Sequence, residues 1–485
     1  MERNQERDGG EGVAGWEPGG GGLRLRREIG LWSAVSLIAG CVIGSGIFMS
    51  PQGVLVYIGS PGASLVVWAV CGVLAMMGAL CYAELGALVP KSGGEYAYIL
   101  HIFGSLPAFL VIYTFVLLVR PAAIAAVSLS FIEYAVAPFY PGCSSMPQAV
   151  LKGVATILLL MLVNCWSSRL TTMLMNVGTV AKVFSLLVIM GGGAVVLGQG
   201  HGYTEAFLFA FHNTTQQAGR IGMAFYQGLW SFDGWNNVNY VVEELKKPKQ
   251  NLVWALMIAI PLVTSLYLRV NISYLLVLSP NEILSSDAMA VSWGNQVLGA
   301  WAWLVPLAVT LSTFGSVNGT FFGGSRVCYV AAREGHMPQL LSMVDVHRLT
   351  PAAALIFTTA GALVLVLPGN CSTIVNFLNF LGWITYGTTI GCLLYLRIKK
   401  KNLPRPYKVP THIPVIMLLA SLYLVLAPVI DHPQVEFLYI FLFLFSGIPV
   451  YFLLVYFQCQ PEWLQMAILY LQLLLEVAPT MRNVD

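Results

Sequence analysis

Long apolar runs recur along almost the entire chain, and this repetition limits the possible folds more than any other feature. A membrane-spanning α-helix needs about 20 consecutive, mostly apolar residues. Such runs predict twelve spans, near residues 31–58, 64–89, 107–136, 150–167, 176–198, 221–242, 252–278, 297–325, 351–367, 373–396, 412–430 and 435–457. Only 10% of the residues are charged, whereas soluble domains carry about 25%. The sequence therefore predicts an all-α polytopic membrane protein.

The Lys and Arg residues predict how the chain is oriented in the membrane. Most of the 25 fall in the tails and loops of one side, and the loops of the other side hold only Lys152 and Arg220. Because cytosolic loops are enriched in Lys and Arg, we expect both termini in the cytosol. Residues 1–28 are predicted to be a disordered tail, residues 29–457 the twelve-span domain, and residues 458–485 an interfacial helix and tail.

The first predicted span contains Gly44-Ser45-Gly46 near its middle. A glycine destabilises a helix interior by about 1 kcal/mol relative to alanine, and backbone groups that are freed in lipid need new partners. The pattern indicates a helix interrupted at mid-bilayer, whose second half aims its N–H groups at an anion such as a carboxylate. The alternative is a packing face, in which Gly40 and Gly44 allow another helix to approach closely.

The sixth predicted span carries an acidic residue, Asp233, between Trp230 and Gly234. An ionisable residue inside a span is expected to mark a functional site. Spans one and six are both interrupted by glycines and are separated by four intact spans. This is the order of a five-plus-five inverted repeat, here about 31–198 and 221–396, in which the broken helices line a central site. The alternative for the tryptophan is an interfacial aromatic belt, which the buried acid disfavours.

Three cations lie inside predicted spans: Arg120, Lys182 and Arg269. Arg120 precedes a proline and is expected to face the bundle interior or a polar cavity. Lys182 needs backbone carbonyls or carboxylates as partners, and its fixed charge would occupy the place of a coupling cation. The alternative for both side chains is that they extend to the nearer membrane interface.

The cysteines and the remaining motifs indicate no catalytic or metal centre. The nine cysteines have no CxxC or other metal-ligand spacing, and the chain has no HExxH, GxSxG or clustered histidines. Cys143 and Cys371 are predicted to face outside. For Cys143, an intermolecular disulfide, a free thiol and a bridge to Cys371 all remain open. Asn213 is the one sequon that we expect to be accessible for glycosylation.

Several short motifs occur together in the chain. They are VIGSGIF at 42–48, AELG at 83–86, KSGGEY at 91–96, DGWN at 233–236, EEL at 243–245, REGHMP at 333–338 and RPYKVP at 405–410. With these motifs, the chain resembles the light subunits of heteromeric amino-acid transporters, in the APC superfamily, from about residue 24 to 478. Among these subunits it is most similar to the cystine and dibasic amino-acid exchangers, since large-neutral-type members tend to have a small residue in place of Asp233. An aromatic-preferring sister subunit is the alternative.

The resemblance implies a LeuT-like fold with broken helices 1 and 6, and sodium-independent obligatory exchange. The residues that it assigns to substrate binding are Ile43, Gly44, Ser45, Gly46, Trp230, Phe232, Asp233 and Asn236. The first four would receive the substrate carboxylate on backbone N–H groups. Carbonyl groups near Phe232 would receive the α-ammonium group, Trp230 would act as a gate, and Asp233 would favour cationic side chains.

The resemblance also implies partners and a location. Lys182 matches the family's lysine that stands where sodium binds in related symporters. Cys143 matches the cysteine that joins a single-span glycoprotein heavy chain. The expected location is the plasma membrane, apical in epithelia, with amino-acid substrates, lipid contacts, and no nucleic acid, metal or cofactor. A sodium-coupled symporter, and a receptor or channel, are the alternative functions; Lys182 disfavours the symporter, and the lack of repeated pore charges disfavours the channel.

Overall fold

The computed structural model is almost wholly helical. It describes residues 30–89, 94–139, 146–202, 204–240, 245–286, 288–348, 350–367, 371–431 and 433–479. The predicted N-terminal tail 1–28, Cys143 and part of the EEL motif lie outside these residues. Between residues 30 and 240, the α-helices are α1 (Leu31–Val42), α2 (Gly46–Ile58), α3 (Pro61–Leu88), α4 (Glu95–Phe103), α5 (Ser105–Thr114), α6 (Arg120–Val136), α7 (Met146–Trp166), α8 (Ser168–Gly198), α9 (Glu205–Leu208) and α10 (Ala218–Ser231).

The second half of the chain repeats this helical character. Its α-helices are α11 (Pro248–Val277), α12 (Pro280–Ser285), α13 (Met289–Val297), α14 (Leu304–Arg333), α15 (Ala352–Leu365), α16 (Cys371–Lys399), α17 (His412–Asp431), α18 (Val435–Tyr451) and α19 (Glu462–Leu475). Two short strands, β1 (Met343–Asp345) and β2 (Val477–Pro479), pair antiparallel, with Met343 opposite Pro479. This pairing fixes the end of the described chain beside the segment that follows α14.

Eight helices of the described chain are long and apolar enough to cross a membrane. The pair α1 and α2 passes the same test together and bends by 50° at its break. The predicted spans near 150–167 and 351–367 coincide with the shorter apolar helices in α7 and α15, and the one near 221–242 is interrupted where α10 ends. The chain is therefore a multi-pass membrane protein, as the apolar runs predict, while the total of twelve spans and the inverted repeat stay predictions.

The break in the first span follows from its sequence. After α1 ends, Ile43 adopts an extended conformation, and Ser45 turns the chain into α2. A glycine is required at position 46, because a Cβ atom there would lie 2.7 Å from the Cα atom of Ser231. The small residues thus interrupt the helix, and Gly46 allows α2 to contact α10 closely. The predicted packing face at Gly40 and Gly44 is wrong, because a Cβ atom at Gly40 meets nothing within 4 Å and one at Gly44 meets only the Ser316 hydroxyl, at 3.9 Å.

Helices α1, α2, α3, α10 and α11 share the largest buried cluster. Trp68 of α3 contacts the rings of Phe232 and Tyr267, with centroid distances of 6.2 and 5.8 Å. Phe232 and Tyr267 contact each other at 5.0 Å. These three aromatic side chains are almost completely buried. They hold the end of α10 against α3 and α11, and so fix the position of the second break.

Candidate functional site

The two helix breaks meet at a single tyrosine hydroxyl. Tyr267 Oη lies 2.9 Å from the carbonyl oxygen of Val42 and 2.8 Å from that of Ser231. Val42 is the last residue of α1, and Ser231 is the last residue of α10. Terminal helical carbonyls lack a partner within their own helix, and in a membrane they must find one elsewhere. Since a hydroxyl has one hydrogen, Tyr267 shares it between the two helix ends.

Sequence reasoning missed Tyr267. The residue lies in a predominantly apolar span, and a buried tyrosine hydroxyl usually has a hydrogen-bond partner. That rule indicates a polar contact for Tyr267. It does not identify the partners, because residues 42, 231 and 267 are far apart in the chain and are brought together only by packing.

The start of α2 offers backbone N–H groups beside this junction. Ser45 is its N-cap residue, and within the described chain no side chain caps this helix end. Ile43, Ser45 and Gly46 are buried, and Gly44 is partly exposed. A helix N-terminus carries a partial positive charge. The segment predicted to bind a carboxylate therefore has the backbone polarity that the prediction requires.

The second break begins where α10 ends. Phe232 is buried, and the chain turns until a short 3₁₀ helix, Asn237–Tyr240, begins. Gly234 has φ +106°, a left-handed conformation that favours glycine, and a Cβ atom there would lie 3.1 Å from the carbonyl oxygen of Cys41. Trp230 is only partly buried and packs against a second apolar cluster. The break therefore depends on a glycine at position 234, as the sequence predicts.

Asp233 is exposed, although it lies next to buried residues on both sides. One carboxylate oxygen accepts a hydrogen bond of 3.3 Å from the hydroxyl of Tyr386 in α16. Arg120, at the start of α6, acts on Asp233 electrostatically, and its guanidinium lies 4.5 Å from the ring centroid of Phe115. An accessible acid with a nearby cation and a hydroxyl is suited to binding a charged or polar group. A Cβ atom on Gly324 of α14 would lie 3.3 Å from the Cβ atom of Arg120, so this arginine packs against another helix of the bundle.

Asn236 occupies a different environment from Asp233. It is buried and donates a hydrogen bond to Glu95 at the start of α4. The Tyr82 hydroxyl donates to the same carboxylate at 3.2 Å. Trp235 packs against Tyr82 at a ring distance of 4.8 Å. In this structure, Asn236 therefore joins the second break to α4.

Lys182 lies in the interior of the bundle. Its side chain is buried, and Nζ donates to the carbonyl oxygen of Gly40 at 3.4 Å. Gly40 belongs to the last turn of α1, directly before the first break. The lysine thus has a backbone carbonyl as a partner, one of the two kinds expected for a cation inside a span. Its direction toward α1 disfavours the alternative in which it reaches the membrane interface.

Two features of the sequence lie outside the helix breaks: a glycosylation acceptor and possible metal ligands. Asn213, the expected glycosylation acceptor, is exposed and has φ +63°. Among the residues that the structure describes, no group of three or more His, Cys, Asp or Glu side chains is suited to holding a metal ion.

A bundle of long apolar helices, with one span broken between α1 and α2 and with the end of α10 and an accessible acid beside that break, defines a polytopic membrane protein with a polar interior site. A sequence profile described as "Amino acid permease" matches residues 29–455. The chain therefore belongs to the amino acid permease family, which is a family of transporters and not of enzymes.

Comparison with individual proteins of this family identifies relatives with high sequence identity. The chain is 46% identical over 461 residues to the b(0,+)-type amino acid transporter 1 of Mus musculus, and the match covers 94% of each chain. It is 45% identical over 461 residues to the Homo sapiens protein of that name, with the same coverage. It is 43% identical over 447 residues to the large neutral amino acids transporter small subunit 2 of Rattus norvegicus, covering 92% of this chain and 84% of the relative. The resemblance to amino-acid transporter light subunits is confirmed.

Proposed function

We propose that this chain is the light subunit of a sodium-independent antiporter that exchanges cationic amino acids and cystine for neutral amino acids. The observation that carries the proposal is the junction at Tyr267, where two interrupted helices end beside the accessible carboxylate of Asp233. An α-amino acid has a carboxylate and an ammonium group, and main-chain groups at helix breaks complement both. The names of the relatives support an amino-acid substrate.

The substrate is proposed to bind between the two breaks. Its carboxylate would accept hydrogen bonds from the N–H groups of residues 43–46, and its ammonium group would donate to carbonyls near Phe232. Trp230 would cover the bound substrate. Asp233 would pair with a cationic side chain and Asn236 would support the site, although its bond to Glu95 favours a positioning role. Exchange follows when the substrate-loaded protein changes conformation more readily than the empty one.

The proposed architecture has twelve spans in a LeuT-like arrangement. Eleven of the twelve predicted apolar runs lie on one helix or on consecutive helices, and the sixth is interrupted where α10 ends. The breaks fall in the first and the sixth run, as expected for inverted repeats near 31–198 and 221–396. The C-terminal unit 458–485 contains α19, whose large apolar side chains are mostly exposed, as expected for an interfacial helix.

Sodium independence is proposed from Lys182. Its ammonium group contacts the carbonyl of Gly40, next to the first break. A fixed cation at this point takes the backbone partner that a coupling ion would need. A sodium-coupled symporter is the alternative that this contact disfavours.

The proposed partner is a single-span glycoprotein heavy chain, joined through Cys143. One relative is named as a small subunit, which supports a larger partner. The complex would lie in the plasma membrane, apical in epithelia, with both termini cytosolic. Replacing Cys143 with Ser should remove a high-mass band on non-reducing gels of cells that express both chains. A band that persists in the variant would contradict the disulfide.

A counterflow experiment tests the proposed function. Proteoliposomes that contain the purified complex are loaded with unlabelled amino acid and are offered labelled arginine, cystine, leucine or phenylalanine, with and without sodium. We expect arginine and cystine to exchange for internal leucine at equal rates in both buffers. Uptake that requires sodium would favour the symporter. A strong preference for phenylalanine or leucine would favour the aromatic-preferring or large-neutral alternative, which the third relative's name supports.

A further inference from the structure

A groove of about 540 Å³ lies between α3 and α11, away from the two breaks. Most of its lining surface is apolar and is contributed by residues such as Val73, Met76, Pro261 and Leu268. Arg269 also lines the groove. Both helices are long and apolar enough to cross a membrane, and Val73 is 57% exposed. The groove is therefore on the lipid-facing surface of the bundle.

The close approach of the two helices forms the floor of this groove. A Cβ atom on Gly72 would lie 2.4 Å from the Cγ2 atom of Thr264, so only a glycine fits at this point. The longer side chains of Val73, Met76 and Leu268 form its sides. An apolar groove of this kind, lying along two transmembrane helices, fits a hydrocarbon chain.

The polar end of the groove is Arg269. It lies eight residues before Val277, the end of α11, which is roughly 12 Å along the helix axis. The side chain is exposed, and in the described part of the chain it forms no hydrogen bond, ion pair or ring contact. Arg220, in contrast, donates to the backbone carbonyls of Val56 and Tyr57. A cation inside a span is costly unless it is paired or reaches the interface, so Arg269 needs an anion that the described residues do not provide.

We propose that this groove binds a glycerophospholipid, with an acyl chain between α3 and α11 and the phosphate on the guanidinium of Arg269. The planar guanidinium offers paired donors that match two phosphate oxygens. A sterol has a single hydroxyl and no charge, so it would leave the cation unneutralised. The proposal concerns the lipid-facing surface and does not depend on which amino acids the protein transports.

Lipid retention by the purified full-length protein tests this site. The protein is titrated with phosphatidylglycerol, phosphatidylcholine or cholesterol, and the first bound molecule is measured by native mass spectrometry. We expect both phospholipids to bind, with phosphatidylglycerol tighter because of its net charge. Arg269→Leu should weaken phospholipid binding at least fivefold, and Arg269→Lys should weaken it less, since lysine keeps the charge but loses the paired donors.

Two further variants distinguish the contribution of the apolar groove to lipid binding from that of the charge on Arg269. Leu268→Trp keeps Arg269 but fills the groove, and it should also weaken binding. Leu262→Trp adds the same bulk on the same helix, at a lipid-exposed position outside the groove, and should leave binding unchanged. Unchanged phospholipid retention in both Arg269→Leu and Leu268→Trp would overturn the proposal. So would cholesterol that displaces phospholipid from the wild-type protein.

Discussion

The two interrupted segments differ in what they offer to a bound molecule. The first break is short: α1 ends at Val42, α2 begins at Gly46, and the residues between them have mostly small side chains. Backbone N–H and C=O groups are therefore the main polar groups of this break. The second break is longer, running from Ser231 to the 3₁₀ helix Asn237–Tyr240, and it carries the accessible side chain of Asp233. One break is thus a main-chain surface, and the other combines main chain with a charged side chain.

This difference separates binding from selectivity under the proposed function. Backbone N–H and C=O groups recognise the carboxylate and ammonium groups that every α-amino acid has. A carboxylate such as that of Asp233 distinguishes between amino-acid side chains. Damage to the first break should therefore reduce the exchange of all substrates, and damage around Asp233 should change their ranking.

The largest expected effect is that of Gly46→Ala. The new Cβ atom would lie 2.7 Å from the backbone of Ser231, and such overpacking costs about 1–3 kcal/mol. We expect arginine and leucine counterflow to fall together, by about tenfold or more. Gly40→Ala is the matched control, because a Cβ atom at that position meets nothing within 4 Å. A loss confined to one substrate would contradict the proposal that the first break binds a group common to all substrates.

The second-largest expected effect is that of Asp233→Ala, and it should differ between arginine and leucine. Asp233→Ala removes the acid, and an interaction with a charged group contributes about 1.5–3 kcal/mol. Arginine counterflow should fall by roughly tenfold or more, while leucine counterflow changes less than about twofold. Proteoliposomes with equal amounts of reconstituted protein allow the two rates to be compared. Equal losses for both amino acids would remove Asp233 from the selectivity role.

Tyr267→Phe tests the junction between the breaks. The carbonyls of Val42 and Ser231 would lose their shared donor, and a buried unsatisfied group costs about 1–3 kcal/mol. We expect arginine and leucine counterflow to decrease together, by about three- to tenfold. Tyr274→Phe is the control, since that buried hydroxyl on the same helix has no hydrogen-bond partner among the residues that the structure describes. Equal effects of the two variants would argue against a bridging role for Tyr267.

The smallest effect concerns Tyr386. Its hydroxyl donates to Asp233 at 3.3 Å, and a typical hydrogen bond contributes about 0.5–1.5 kcal/mol. Tyr386→Phe should weaken the apparent affinity for arginine about two- to fivefold and leave that for leucine unchanged. Concentration-dependent uptake measures both. If leucine were weakened as much as arginine, Tyr386 would support the fold of the site and not its selectivity.

The sequence predicts those features that depend on local chemistry. Apolar run length predicts the long helices, and the glycines around Ser45 and Asp233 predict the two breaks. The need of a buried cation for a partner predicts the polar contact of Lys182. Tyr267 could not be predicted as a bridge, because its two acceptors belong to distant segments that packing brings together.

The structure also separates residues that the motifs place side by side. Asp233 and Asn236 are three residues apart, yet the former is accessible and the latter is buried against Glu95. The conformation of the turn decides this, and Gly234, with its positive φ, is part of that turn. Sequence spacing alone does not specify which way the side chains of such a turn point.

The most direct test of a main-chain site for the carboxylate and a side-chain site for selectivity is counterflow with arginine, leucine and agmatine, which is arginine without its carboxylate. Wild-type protein should exchange arginine and leucine and should fail to exchange agmatine, and Asp233→Ala should keep leucine exchange while losing most arginine exchange. Agmatine exchange at the rate of arginine would contradict the account, because recognition would then not require the carboxylate that the first break is proposed to bind.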